Sequence, residues 1–360
     1  MDNKGLLFIP DISGFTRFVN ETEIDHSRLI IQELLEILID ANQIGLEVSE
    51  IEGDAILFYK YGESPGLEEL YGQVEKMFRE FHRHLVVYDN RKFCQCKACI
   101  SAADLTLKVI THYGEFTGYN VRNFNKLIGK DVIVAHQLLK NNIDQHEYWL
   151  VTNDVLRDDS PANLAAWMKW DCSAKETERG EIPFHYTQLG ELKNEISPDS
   201  FPPLEIPNKI KLFSLSKEFE TDYITLFHGV GDFNYRSRWK EGVKAVKEIS
   251  HFLPRVGTRC SCEMENGETV LYASSYSYSP GRIEFSETDE GKDNSCYFTL
   301  EDLGGRRSRL TVDFYLRRNI INQILVKFGK KRQLQESFQR SLQRLEDVLK
   351  DIKLPELEPL

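Results

Sequence analysis

Up to Glu195 the chain alternates short apolar runs with stretches of helical period. Gly5 to Asp11 is an apolar run ending in Asp-Ile-Ser-Gly, the pattern of a buried strand entering a turn. Leu29, Ile30, Leu34, Ile37, Leu38 and Ala41 recur at helical spacing within Ser27 to Ile44, with Asp25 or Ser27 placed to cap the start. Leu46 to Tyr59 reads as two strands about a turn at Glu52-Gly53-Asp54. Gly66 to Val87 reads as a second helix, with Leu67, Leu70, Val74, Met77, Phe78 and Phe81 inward. Leu105 to Tyr119 predicts a hairpin turning near Tyr113-Gly114, Val132 to Leu139 a helix, Tyr148 to Thr152 a strand and Phe184 to Leu192 a last strand. Asp158 to Glu181 fits neither period. This order predicts an α+β sandwich around a largely antiparallel sheet.

The texture changes after a seam from Ile196 to Asn208, where Pro198, Pro202, Pro203 and Pro207 favour extended backbone. Lys209 to Phe219 alternates as a strand does, and Asp222 to Gly229 is a short helix. Strand patterns follow near Val243–Ile249, Gly257–Met264, Thr269–Tyr278, Arg282–Thr288, Ser295–Leu303 and Ser308–Leu316. Leu334, Phe338, Leu342, Leu345, Leu349 and Ile352 share one face of a long closing helix. The expected domains are residues 1–195 and 209–360, joined by a linker over 196–208. The second is a curved antiparallel sheet wrapping the last helix.

Composition narrows the function classes. At 360 residues, with 41% hydrophobic and 28% charged, the chain suits two soluble domains rather than disorder. A net charge of −12 gives no bulk electrostatic case for nucleic acid or an anionic membrane. No apolar run approaches the ~20 residues of a membrane span, and Met1 to Asp11 lacks the basic, apolar and small-residue regions of a signal peptide. Seven cysteines in a chain this long read as reduced thiols in a cytoplasm.

Two carboxylates carry the most chemistry. Asp11 ends a buried strand, where a carboxylate is costly unless it is paired or bound to metal. Gly14 follows in a turn that opens a helix, and Asp54 sits at a hairpin tip after Gly53. Singly, the two read as a helix cap and a turn aspartate. If their strands are neighbours, they form the hard oxygen pair that Mg²⁺-dependent phosphoryl chemistry needs.

Asp11-Ile-Ser-Gly-Phe-Thr16 resembles the first metal-binding motif of the class III nucleotidyl (adenylate and guanylate) cyclases, and Ile51-Glu-Gly-Asp54 resembles their second. Weaker similarity runs over residues 5–192, through His112-Tyr-Gly-Glu115 and Leu127-Ile-Gly129. The resemblance implies a ferredoxin-like palm that dimerises head to tail. It implies Mg or Mn held by Asp11, Asp54 and the carbonyl of Ile12, with the amides of Ser13, Gly14, Phe15 and Thr16 on a nucleoside triphosphate. The family's base-reading positions fall on Glu50, which suits guanine, and on Lys126, which matches neither the adenylate nor the guanylate pattern. Its transition-state Asn and Arg fall on Ile133 and Gln137. Losing one preorganised donor of this kind costs ~10²–10³-fold in rate, so two losses would take a typical turnover of ~10 s⁻¹ down by ~10⁴ or more. The expected protein is a divergent cyclase-like signalling protein that binds nucleotide and divalent metal, with little or no turnover as a homodimer. The alternatives are an active cyclase preferring guanine, alone or as a heterodimer with a complementary partner, and a scaffold that uses neither site.

Cys94-Gln-Cys96-Lys-Ala-Cys99 is a second candidate site. Three thiols so close can meet around zinc, with His112 or Cys172 as the fourth ligand by type, or can stay unligated. Cys260-Ser-Cys262 alternates along a strand and reads as packing.

Lys209 to Ile352 resembles the START-like helix-grip (SRPBCC) superfamily through Arg238-Trp239-Lys240-Glu241-Gly242-Val243, Arg255-Val256-Gly257-Thr258-Arg259, the strands after them and the final helix. The resemblance implies a cavity for a small apolar ligand between sheet and helix. Tyr272, Tyr276, Tyr278, Phe285, Tyr297, Phe298, Phe314 and Tyr315 either line that cavity or fill the core. The basic run from Lys327 to Arg332 reads as a solvated helix end.

Overall fold

Leu6, Leu7, Phe8 and Ile9 are all buried, as a strand covered on both faces requires. They belong to a computed structural model that describes residues 3–22, 24–92, 96–122, 124–157, 161–177, 180–197, 204–249, 255–265, 267–318 and 330–352. Its contacts divide the chain into two units, residues 1–89 with 96–199 and residues 90–95 with 200–360. Among the described residues no helix is long and apolar enough to cross a membrane.

The first unit runs β1 (Lys4–Ser13), α1 (Phe15–Glu21), α2 (Ile24–Asp40), β2 (Glu47–Glu52), β3 (Ala55–Tyr61), α3 (Leu67–Arg91), α4 (Lys97–Ser101), β4 (Thr106–Glu115), β5 (Thr117–Val121), β6 (Phe124–Ile128), α5 (Lys130–Leu138), β7 (Tyr148–Thr152), α6 (Asn153–Leu156), β8 (Asp171–Thr177) and β9 (Gly180–Gln188). Seven strands form one sheet in the order β2-β3-β1-β4-β7-β9-β8. All pairs are antiparallel except β4 with β7. Leu7 and Ile9, two apart and so on one face, join Val132, Ala135 and Leu138 of α5 in one core cluster.

The expected hairpin at Tyr113-Gly114 is not a turn. β4 runs through it, with Gly114 opposite Gly5 of β1. A Cβ on Gly114 would lie 2.3 Å from the Asp131 carboxylate, which accepts the Glu115 N–H at 2.5 Å. This glycine serves close approach rather than chain reversal. The hairpin lies further on, as the two-stranded β5–β6 ribbon. The stretch without a clear period holds β8. The last strand begins at Gly180, earlier than expected, and ends at Gln188 rather than Leu192 because Gly190–Glu195 turns into a 3₁₀ helix.

The second unit contains β10 (Lys209–Phe219), α7 (Tyr223–Gly231), α8 (Arg236–Trp239), β11 (Val243–Glu248), β12 (Arg259–Met264), β13 (Gly267–Ser279), β14 (Arg282–Asp289), β15 (Asn294–Gly304), β16 (Arg307–Arg317) and α9 (Lys330–Asp351). The sheet order is β10-β16-β15-β14-β13-β12-β11, antiparallel throughout. Phe338, Leu342, Leu345 and Val348 of α9 bury against the sheet face carrying Phe213, Phe285, Phe298, Leu310 and Val312. The molecule is therefore α+β in both units. Of the basic run, residues 327–329 lie outside the described residues, as do Pro198, Pro202 and Pro203 of the seam.

Candidate functional site

The end of β1 lies between β3 and β4, with Asp11 opposite Ala55 on one side and Lys108 on the other. The β2–β3 turn brings Asp54 alongside, where its carbonyl accepts the Ile12 N–H at 2.9 Å. Gly53 allows that turn with a left-handed φ of +62°. The Phe15 ring comes within 3.6 Å of the place a Gly53 Cβ would occupy, so the segment after β1 closes over the second motif. Gly14 has φ +90° and its carbonyl takes the first bond of α1, from the Phe18 N–H at 3.0 Å. Phe15 is half-buried and Thr16 exposed.

Both carboxyls are raised, Asp54 in part by the charge of Asp11. Asp11 is 8% exposed. Burial raises its carboxyl above the ordinary value, and the Lys108 ammonium, 3.2 Å from Oδ1, only partly opposes this. Asp54 is pushed up to about 6, first by burial and then by the charge of Asp11. Beside them the Ser13 hydroxyl oxygen is buried and, among the described residues, has no hydrogen-bond partner. Hard oxygen donors, negative charge that Lys108 only partly compensates and an orphaned hydroxyl together fit a Mg²⁺ or Mn²⁺ carrying a phosphate group. A cleft of about 980 Å³ opens beside Ser13 and Gly14, with Arg17, His146, Trp167 and Lys169 among its walls.

Glu50 and Lys126, far apart in sequence, meet across β2 and β6. The Lys126 ammonium donates to Glu50 Oε2, and that bond holds Lys126 above its ordinary pKa. Ile133 is 58% exposed on the outer face of α5, with the partly exposed Gln137 one turn on. Neither places a charge there.

His112 is buried on β4. Its Nδ1 lies 2.9 Å from Thr152 Oγ1 and its Nε2 3.5 Å from Asp131 Oδ1. Burial works against the Asp131 charge, but His112 and the Glu115 N–H hold its carboxyl below the usual range. Cys172 is exposed, opposite His185 on β9. Neither joins the cysteine run. The side chain that does so is His26, in the first turn of α2, with Nδ1 3.3 Å from Cys96 Sγ and 3.4 Å from Cys99 Sγ. Burial opposes a proton on His26, but the two sulfurs push its pKa up to about 11. Cys94 lies outside the described residues. Sequence reasoning missed His26 and Lys108: one precedes the apolar stripe of its helix and the other is a lone lysine in a strand, so spacing marks neither.

In the second unit, Phe285 and Phe298 stack at 4.6 Å, and Phe213 and Phe314 at 5.3 Å, inside the core. Tyr297 and Tyr315 face the other way and meet Lys209. Cys260 and Cys262 pack with Phe233. Arg236 and Glu287 form a buried bidentate pair. Arg236 Nε and Trp239 Nε1 are buried and, among the described residues, lack acceptors.

The family described as "Protein of unknown function (DUF2652)" matches residues 31–148. The guanylate cyclase domain of RhGC from Catenaria anguillulae, solved in complex with GTP, is similar with a TM-score of 0.35 and 13% identity, over 51% of this chain and 96% of that one. A START superfamily protein from Mycobacterium smegmatis is similar with a TM-score of 0.30 and 17% identity, over 38% of this chain and 96% of that one. "Uncharacterized protein Rv2561/Rv2562" of Mycobacterium tuberculosis (strain ATCC 25618 / H37Rv) is 32% identical over 161 residues, which are 44% of this chain and 72% of that protein. By that identity and coverage, this chain belongs to the family of the mycobacterial protein Rv2561/Rv2562.

Proposed function

We propose that the first unit is a divergent nucleotidyl-cyclase-like module that binds a nucleoside triphosphate with Mg²⁺ or Mn²⁺ and turns it over slowly or not at all. The observation that carries this reading is the meeting of Asp11 and Asp54 at the end of β1, where burial raises both carboxyls and the charge of Asp11 raises that of Asp54 further. A bound divalent ion would neutralise that corner and the phosphates beside it. The amides of Ser13 to Thr16 and the Ser13 hydroxyl bind the phosphates. Glu50 accepts from the N1–H and amino group of guanine while Lys126 donates to its O6; adenine offers the opposite pattern, so guanine is the base. Ile133 and Gln137 place no charge against the reacting phosphate. Lys126 and Lys130 are near the same helix, but a lysine is a point charge without the planar fork of arginine.

The module pairs with a second copy or a complementary chain. Val48 and Ile51 on β2, Tyr119, Val121 and Ile128 on the ribbon, and Ile133 on α5 are large apolar side chains left exposed. The second unit is a START-like helix-grip domain for a small apolar ligand. The unmet donors of Arg236 and Trp239 suit a polar end on that ligand. The whole reads as a cytoplasmic signalling protein in which ligand and nucleotide states are coupled.

Calorimetric titration with GTP and ATP in Mg²⁺, together with a cyclic-nucleotide assay in Mn²⁺, tests the reading. GTP should bind in a divalent-dependent way, with turnover ~10⁴-fold or more below a typical ~10 s⁻¹. Absence of nucleotide binding would overturn it. Robust turnover abolished by Asp54→Ala would replace it with the active cyclase.

A further inference from the structure

We infer that His26, Cys96 and Cys99 supply three of the four ligands of a structural zinc site that clamps α2 to α4. The ligand atoms of the three side chains all lie within 4.8 Å of one another. Tetrahedral zinc, with bonds of ~2.3 Å to sulfur and ~2.0 Å to nitrogen, separates a nitrogen from a sulfur ligand by ~3.5 Å. His26 Nδ1 lies 3.3 Å and 3.4 Å from the two sulfurs. The imidazole nitrogen therefore already stands at the spacing from each sulfur that the ion imposes.

The surroundings fit a thiolate site. Cys96 is 8% exposed, Cys99 0% and His26 9%. Cys96 caps α4, and its sulfur accepts the Cys99 N–H at 3.5 Å. The Tyr88 hydroxyl donates to the Cys99 sulfur at 2.9 Å, from a position on α3 that is 2% exposed. Such outer hydrogen bonds support thiolate ligands and fix their direction. Two soft sulfurs with an imidazole, out of water, favour zinc over hard cations.

The place of the site in the fold gives the ion a task. α4 packs against both α1 and α2. It leads through a 3₁₀ turn (Ala102–Asp104) into Leu105, whose Cδ2 is 3.6 Å from the position of a Gly14 Cβ. A clamp on α4 thereby supports the Gly14 turn that follows Asp11. The ion acts by positioning and touches no substrate.

Full-length chain purified under reducing conditions should carry about one zinc per chain by elemental mass spectrometry. His26→Asn and Cys99→Ser should each reduce this to below about one tenth. Cobalt loaded into the wild type should give thiolate charge-transfer bands and the intense visible absorption of a tetrahedral site, which needs no variant to fold. Chelation should lower the melting temperature and expose two more reactive thiols. A metal-free wild type without a cobalt–thiolate spectrum, a Cys96–Cys99 disulfide in the reduced preparation, or zinc fully retained in either variant would overturn the inference. Asp54→Asn should keep its zinc while losing any response to Mg²⁺, so this site and the nucleotide reading can fail separately.

Discussion

At the scale of single residues, Asp54 contributes its own pH dependence. Its pKa is raised from 3.8 to about 6, so between those values the folded chain holds a proton that the unfolded chain has released. The contribution of Asp54 to stability without metal therefore falls as pH rises through that window and levels off above it, while His82, whose pKa burial lowers to about 3, contributes with the opposite sign, so the comparison with Asp54→Asn isolates the aspartate. Asp54→Asn removes the cost. At pH 7 in EDTA it should be more stable than wild type by on the order of 1 kcal/mol, a figure reduced for its partial exposure. It should also lose the rise in melting temperature that Mg²⁺ gives the wild type. Thermal melts from pH 4 to 8, with EDTA and with Mg²⁺, check both signs. Glu50 offers a second test. Glu50→Lys removes the acceptor for the guanine donors and sets two lysines side by side, so GTP should lose its advantage over ATP in calorimetry. Equal wild-type affinities would count against the role given to Glu50.

At the scale of elements, β4 and α5 depend on contacts that a residue pattern conceals. Gly114→Ala forces a methyl group into the Asp131 carboxylate and disturbs its bond to the Glu115 N–H. Overpacking of this kind costs about 1–3 kcal/mol, which urea denaturation would report as a lower midpoint with an unchanged slope. On the proposed reading, α5 is also where a donor and a positive charge are lacking. Ile133→Asn with Gln137→Arg supplies a donor and a fixed charge one turn apart on its outer face, and on that reading should raise any residual cyclisation rate by about 10²-fold or more. A double variant no faster than wild type in a Mn²⁺ assay would mean that the barrier lies elsewhere.

At the scale of the molecule, the exposed apolar side chains of β2, the β5–β6 ribbon and α5 belong to the first unit alone. If they meet a second copy, Val121→Asp with Ile128→Asp should turn a dimer into a monomer by light scattering, with the circular dichroism unchanged. A wild type that is monomeric at high concentration would direct the search to an unlike partner. The second unit is stabilised differently. Ring contacts join its sheet to α9, and the buried Arg236–Glu287 pair ties α8 to β14.

The sequence by itself determined the elements whose periods are undisturbed. β10 spans Lys209–Phe219 as the alternation predicts, and the apolar stripe from Leu334 to Leu349 lies on α9, with its last member, Ile352, just past the helix end. It also singled out Asp11 and Asp54, because a carboxylate after a buried strand and another after a turn glycine are local signals. Only the tertiary structure decided what these residues meet. Gly114 looks like a turn until Asp131 is seen to occupy the space its missing Cβ leaves. His26 has no marking neighbour in the chain, and it reaches Cys96 and Cys99 only because α2 packs on α4. Lys108 stands beside Asp11 through the register of β1 with β4. Periodicity records which face of an element is buried, whereas ligation, ion pairing and close approach depend on distances between elements, and those are set only when the elements pack.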